Sequence, residues 1–202
     1  GPPLTAVTFS HASKSYTDPL KLELTHPQPG VEIRYTTNRT IPNTNSARYS
    51  TPITLNNTTQ IRARAFANGF SPSPTQSHTY VRLDSSVRAF SSNLPIVIVD
   101  NFGVGKPTSD NYKSSFFALV EPDKTSGRAK IDDSFKIASR GGAKVRGSSS
   151  SGFAKYAIAL ETWNEDDEDR DIKPLGMPAS SDWVLSGRYR FDLALMRNPF
   201  IY

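Results

Sequence analysis

Apolar and polar residues alternate one by one along this chain, and each alternating run ends before it is long enough for a helix. Leu20, Leu22 and Leu24 are separated by Lys21 and Glu23, and Val31, Ile33 and Tyr35 by Glu32 and Arg34. Ile61, Ala63, Ala65 and Ala67 oppose Arg62, Arg64 and Phe66. Successive side chains of a strand point to opposite faces, so a period of two builds one apolar and one wet face. Turn signals such as Pro27-Gln28-Pro29-Gly30 and Asn56-Asn57 recur at roughly 8–12 residues, the spacing of a β-sandwich. Residues 4–83 therefore read as an all-β module, closed by a strand from His78 to Leu83.

The polar stretch from Leu83 to Asn93 has no periodicity and is the expected boundary. Beyond it, Leu94 to Asp100 is a short, mostly apolar run, read as a strand buried on both faces in a sheet centre. Further strands are expected at Ser115 to Val120, Ala143 to Gly147, Lys155 to Glu161 and Trp183 to Leu185. Only from Asp192 does the pattern turn helical, with Leu193, Met196 and Phe200 on one stripe and Pro199 interrupting it. The expected fold class is mainly β: an immunoglobulin-like β-sandwich (residues 1–84), a linker (85–93), and a β-rich α+β lobe (94–202).

Composition removes several functions. The 202 residues include no cysteine, so disulfides, thiolate metal sites and cysteine nucleophiles are all excluded. A cysteine-free secreted module fits a bacterial cell envelope better than a eukaryotic secretory route. No window approaches the roughly 18 apolar residues of a membrane helix. The net charge of +5 is uneven. Residues 1–84 hold 8 Lys/Arg against 4 Asp/Glu, and residues 85–202 hold 16 against 15. The arginines of the first half alternate along a strand instead of forming a basic stripe with stacking aromatics, so nucleic acid is not an expected partner. Neither a G-x-S-x-G elbow nor an H-E-x-x-H helix occurs, and His11, His26 and His78 all lie in the first module.

Two constellations carry possible chemistry. Arg140-Gly141-Gly142-Ala143-Lys144-Val145-Arg146-Gly147-Ser148-Ser149-Ser150-Ser151-Gly152 is followed by Lys155. Glycines let a loop approach a phosphate, serine hydroxyls and backbone N–H groups hold its oxygens, and a strand lysine can reach it. The candidate nucleotide contacts are Lys155, Arg146, Ser148 and Ser149. The plain alternative is a polar hairpin turn. The second constellation is Glu165-Asp166-Asp167-Glu168-Asp169-Arg170-Asp171. Glu165, Asp166, Asp167 and Asp169 are candidate Ca²⁺ ligands, since that ion takes six to eight oxygens. Against this, the EF-hand spacing is absent, and a charge run of this kind is ordinarily a solvated, self-repelling, extended loop.

Two resemblances sharpen the picture. Val7-Thr8-Phe9-Ser10, Gly30 to Thr37, Pro52-Ile53, Thr59 to Phe66 and Gly69-Phe70-Ser71-Pro72-Ser73 together resemble the immunoglobulin-like domain at the C-terminus of chitobiases and hexosaminidases, over about residues 4–83. Where that family commonly continues Tyr-Thr-Thr with Asp-Gly, this chain has Asn38-Arg39, and arginine accepts a left-handed turn less readily. Such modules imply a spacer or accessory role. The Arg146-Gly147-x-Ser149-Ser150 turn, Lys155, Leu175-Gly176-Met177-Pro178, Asp182-Trp183-Val184-Leu185 and Arg197-Asn198, in that order, resemble the N-terminal part of the CotH kinase-like family, over about residues 92–202. That resemblance implies a lobe like the N-lobe of a kinase, with Lys155 on the phosphates. The family's catalytic and metal-binding aspartates lie beyond the Arg-Asn pair, so the lobe is truncated before them.

The expected function is that of a non-catalytic fragment of a secreted or cell-surface bacterial protein with a structural, adhesive or assembly role. No cofactor is expected for the chain alone, Ca²⁺ being the one candidate from its own residues. Expected partners are a protein or cell-envelope component, or further copies of the chain. The alternative is a part of an ATP-dependent CotH-type protein kinase, which would bring ATP and Mg²⁺.

Overall fold

The computed structural model describes residues 1–187. The helix expected from Asp192, with Pro199 and the Arg197-Asn198 pair, lies outside the described residues. The strands are, in chain order, β1 (Thr8–Phe9), β2 (Lys14–Tyr16), β3 (Leu20–Leu22), β4 (Leu24–Thr25), β5 (Glu32–Thr36), β6 (Ala47–Arg48), β7 (Ile53–Leu55), β8 (Thr59–Phe66) and β9 (Gln76–Arg82). They continue as β10 (Ser91–Ser92), β11 (Ile96–Asp100), β12 (Lys113–Val120), β13 (Ala129–Lys130), β14 (Ile137–Arg146), β15 (Ala157–Trp163) and β16 (Asp182–Leu185). Among the described residues only two short 3₁₀ turns, Ser149–Gly152 and Pro174–Gly176, are helical. The protein is mainly β.

The first half is a sandwich. One layer is a five-stranded sheet in the order β2-β9-β8-β5-β6; the other is made of the pairs β3-β7 and β1-β4. The alternation read from sequence is the packing pattern: Ile33, Ile61, Ala63, Ala65 and Tyr80 meet Leu22, Leu24 and Leu55 in one core. Leu20 to Thr25 is two strands because β3 pairs β7 while β4 pairs β1. The switch falls at Glu23, which exchanges hydrogen bonds with Ser10 instead. β2 runs parallel to β9, with Lys14 opposite Tyr80 and Tyr16 opposite Arg82.

The second half is built on an antiparallel sheet in the order β11-β12-β14-β15-β16. Phe117, Leu119, Ala143 and Leu160 bury one of its faces, with Trp183 packed against them. On the other face Phe116 and Ala118 pack with Val81 and Leu83, which arrive from the first half. The boundary stretch Leu83 to Asn93 thus begins at a side chain buried in the second core, and Ser91–Ser92 within the expected linker pairs with β13.

Three strand expectations change. Leu94 to Asp100 was expected at a sheet centre, but β11 is an edge strand bonded to β12, and Val97 is 43% exposed. Apolar composition marks what its two faces touch and says nothing of its hydrogen-bonded neighbours. The strand expected at Ala143 to Gly147 is β14, ten residues long from Ile137. Its Ser139-Arg140-Gly141-Gly142 stretch looks like a turn, yet it forms the middle of the sheet. A Cβ at Gly141 would fall 2.1 Å from the Glu161 carbonyl oxygen, and one at Gly142 would strike Trp163 and Tyr112. These glycines mark close approach of neighbouring groups. Finally, β15 starts at Ala157, where pairing with Arg146 begins, and Lys155 precedes it in a bend.

Gly141→Ala must displace the backbone of β15. It should destabilise the protein by about 1–3 kcal/mol, read as a lowered urea midpoint; an unchanged midpoint would contradict this packing.

Candidate functional site: a buried charge junction

β8 alternates Ile61, Ala63 and Ala65 into the sandwich core, so Arg62 and Arg64 must point to its outer face. On that face Arg64 stays partly open, while Arg62 is 0% exposed. It is covered by the turn that follows β15, residues 164–169. The acidic run does not extend itself. Asn164 folds it back: its N–H donates to the Glu168 carbonyl at 2.8 Å, and its side-chain oxygen accepts from the backbone N–H groups of Asp166 and Glu168. Asp167 takes a left-handed conformation (φ 64°) at the tip.

This turn places two carboxylates against two buried guanidiniums. Arg62 donates through Nη2 to the backbone carbonyl and, at 3.4 Å, to the carboxylate of Glu165. Its Nη1 donates to the Arg39 carbonyl at 2.9 Å and its Nε to Ser77 Oγ at 3.2 Å. Glu165 accepts from the Ser77 N–H at 2.9 Å and the Ser77 hydroxyl at 2.5 Å. Arg140 of β14, 8% exposed, donates to Gln60 Oε1 at 3.2 Å, to the Asn164 carbonyl at 2.6 Å and to the Asp167 carboxylate. Asp167 also lies 3.6 Å from Arg62 Nη1. Burial, then the like charge of Arg140, pull the Arg62 pKa below its ordinary value; Glu165 and Asp167 oppose them. Guanidinium stays protonated across the accessible pH range, so the two carboxylates are what make its burial tolerable.

Backbone strain gathers at the same place. Arg39 takes φ 71°, the conformation its sequence position made questionable. That geometry aims its carbonyl at Arg62, and its guanidinium lies 4.9 Å from the Phe102 ring centre. Phe102 is itself at φ 57°. Left-handed non-glycine residues each carry a penalty of roughly 1–3 kcal/mol and persist where surrounding contacts hold them. Among the described residues, three of the four such positions border this junction.

Beside the junction a cleft of about 440 Å³ is lined by Ser13, His78, Phe116, Phe135, Trp163 and Glu165, among others. It brings together a serine, a histidine and a glutamate that the sequence gave no reason to associate. Their hydrogen bonds are structural. His78 Nδ1 accepts the Ser13 backbone N–H at 3.1 Å, Ser13 Oγ accepts the Thr79 N–H at 3.0 Å, and Glu165 is held by Ser77 and Arg62. Burial lowers the His78 pKa, with Glu165 opposing, so the neutral ring is the favoured form.

The residues singled out from sequence are distributed differently. Arg146 ends β14, and Ser148 and Lys155 lie on the connection to β15; all three are exposed. Ser149 opens the 3₁₀ turn of that connection, and the Ser148 carbonyl accepts from Ser151 Oγ at 2.6 Å. The lysine that reaches this serine loop is Lys106, whose Nζ donates to the Ser151 carbonyl at 2.7 Å and sits 4.3 Å from the Tyr156 ring centre. Of the acidic residues, Glu165 and Asp167 pair with the arginines, Asp167 while half exposed, and Asp166 and Asp169 are exposed without such a pairing. No group of three or more acidic or histidine side chains gathers to hold a metal ion among the described residues. The sequence signal that was available for the junction is Arg62 itself, a charge on a strand whose alternation leaves its partners unnamed.

Residues 11–78 match the family model of the chitobiase/beta-hexosaminidase C-terminal domain. The match spans β2 to the first three residues of β9 and so includes Arg39, Arg62, Ser77 and His78, but not the carboxylates that face them. No curated protein and no solved structure matches the chain. No helix among the described residues is long and apolar enough to cross a membrane.

Arg62→Ala leaves Glu165 facing a cavity and the Arg39 carbonyl without its donor; it should cost about 3 kcal/mol in equilibrium unfolding. Arg62→Lys keeps the charge without the fork and should recover only part of that. A loss below about 0.5 kcal/mol for the alanine variant would mean the junction contributes nothing. His78 gives a pH signature. Its folded pKa lies below the unfolded value of about 6.5, so the unfolded chain binds the extra proton. Its contribution to stability is whole above pH 6.5 and is lost as pH falls through the depressed folded pKa. The urea midpoint should therefore drop between about pH 7.5 and 5.5, and His78→Asn should flatten that part of the profile.

Proposed function

We propose that this chain serves a non-catalytic structural, adhesive or assembly role in a secreted or cell-surface bacterial protein. In this reading an accessory immunoglobulin-like domain is locked onto a second unit resembling the N-terminal lobe of the CotH kinase-like family. The observation that carries the proposal is the junction of Arg62 and Arg140 with Glu165 and Asp167, beside the packing of Val81 and Leu83 on Phe116 and Ala118. Contacts between domains of one chain are ordinarily polar, open and mobile. Here two buried arginines paired with partly exposed carboxylates, and an apolar core, join the halves, as suits a part that must hold a shape.

The kinase alternative asks Lys155 to stand on a strand over the phosphates with metal-holding carboxylates beside it. Lys155 is exposed in a bend, and the Glu165 and Asp167 carboxylates are held by arginines. These observations favour the structural reading. The expected partner is a protein or cell-envelope component, or another copy of the chain.

Purified protein incubated with γ-labelled ATP and Mg²⁺ should label neither itself nor a general acceptor, and Lys155→Ala should change nothing measurable. Transfer that disappears in Lys155→Ala would overturn the proposal. In the positive arm, labelled protein should co-sediment with bacterial envelopes, or sedimentation velocity should show concentration-dependent assembly; failure of both would remove the adhesive and assembly roles.

A further inference from the structure

Arg82 closes β9 as the chain leaves the first sandwich. Its backbone N–H donates to Thr58 Oγ1 at 3.0 Å, and its guanidinium lies 5.5 Å from the Tyr16 ring centre. The Tyr16 hydroxyl donates to the Asn57 carbonyl at 2.8 Å, which ties the same ring to the turn between β7 and β8. Neither contact of Arg82 uses a guanidinium donor. Nη1 is buried and has no hydrogen-bond partner among the described residues. An arginine cannot relieve this by losing its proton, so an unanswered N–H here carries the full desolvation penalty of a charged donor. Such groups in a native fold call for an explanation.

Arg82 also lines a cleft of about 430 Å³, together with Asn56, Asn57, Leu83, Asp84, Ser85 and Arg88. Arg88 is exposed on the turn of residues 85–89. Asp84 is an ionised member of the lining: its Oδ1 accepts from the Ser86 N–H at 2.8 Å, and that bond, with the nearby Arg88 charge, holds its carboxyl below the usual range. Two guanidiniums against one engaged carboxylate leave the lining net positive. Asn56, Asn57 and Ser85 add neutral donors of the kind that complete an oxyanion shell.

We propose that Arg82 and Arg88, with the Asn56-Asn57 turn, form a binding site for an oxyanion carried by a larger molecule: a phosphate, sulfate or carboxylate group. The guanidinium plane matches such groups in a two-point fork, which a lysine cannot supply. The cleft is larger than a bare oxyanion needs, so it also admits the group that bears it. Occupation would link the β7–β8 turn of the first half to the connection leading into the second. The site is separate from the Arg62 junction and does not depend on the structural role proposed above.

The test is titration of the whole chain with inorganic phosphate, sulfate and acetate at constant ionic strength, followed by NMR shifts and by thermal midpoint. Saturable binding in the millimolar range or tighter is expected for at least one of the three. Arg88→Gln should weaken it about tenfold; Arg82→Lys should weaken it likewise while keeping the charge. Arg48→Gln, a control on the exposed outer face of the sandwich, should leave it unchanged. A peptide bearing phosphoserine and one with a free C-terminal carboxylate then distinguish the sources, the stronger binder naming the class. No saturation by any of the three ions, or equal binding by wild type and Arg88→Gln, would overturn the proposal.

Discussion

The buried guanidinium of Arg62 constrains this molecule more than any other group. A charge with no exposed surface must find counter-ions and acceptors in fixed places, because both misplacement and loss of a partner are costly. Its three nitrogens reach the Arg39 carbonyl, Ser77 and Glu165. The first two belong to the sandwich and the third to the turn after β15. Apolar contacts such as Leu83 against Phe116 tolerate some sliding, whereas a three-way hydrogen-bonded fork does not. We infer that the ion cluster selects one mutual placement of the halves, and the apolar core beside it supplies most of the favourable free energy.

That division explains where strain is accepted. Arg39 and Asp167 take left-handed backbone at the two ends of the cluster, one presenting a carbonyl and the other a carboxylate. For an arginine that conformation would not be expected on an open surface loop, where a relaxed alternative is close at hand, whereas aspartate accepts it more readily. The unusual Asn38-Arg39 pair fits this: the arginine guanidinium also lies over the Phe102 ring, a contact that glycine could not make.

Much of the fold was legible from sequence, because period-two alternation is dictated by the sheet itself. Leu22, Ile33, Ile61 and Leu160 all lie in the cores their patterns implied. What failed was information that belongs to neighbours. β11 looked central from its own residues, yet edge or centre is decided by who pairs with it. Gly141 and Gly142 looked like a turn because their reason, the approach of Glu161, Trp163 and Tyr112, is remote in sequence. The acidic run looked extended by self-repulsion, yet Asn164 folds it back and two arginines distant in the chain answer its charge. The Ser-rich loop drew attention to Lys155, when Lys106 is the lysine that contacts it. A single charged residue in a strand pattern shows that a partner is required, and only the fold reveals which one.

The parallel pairing of β2 with β9 has a mechanical consequence. These strands stand at the entry and the exit of the first sheet and point the same way. Tension applied along the chain across that unit would draw them past each other lengthwise, so the three registered pairs would be loaded together and not peeled one after another. Resistance to pulling would then come from a handful of bonds acting in concert, at the point where the load passes into the second half.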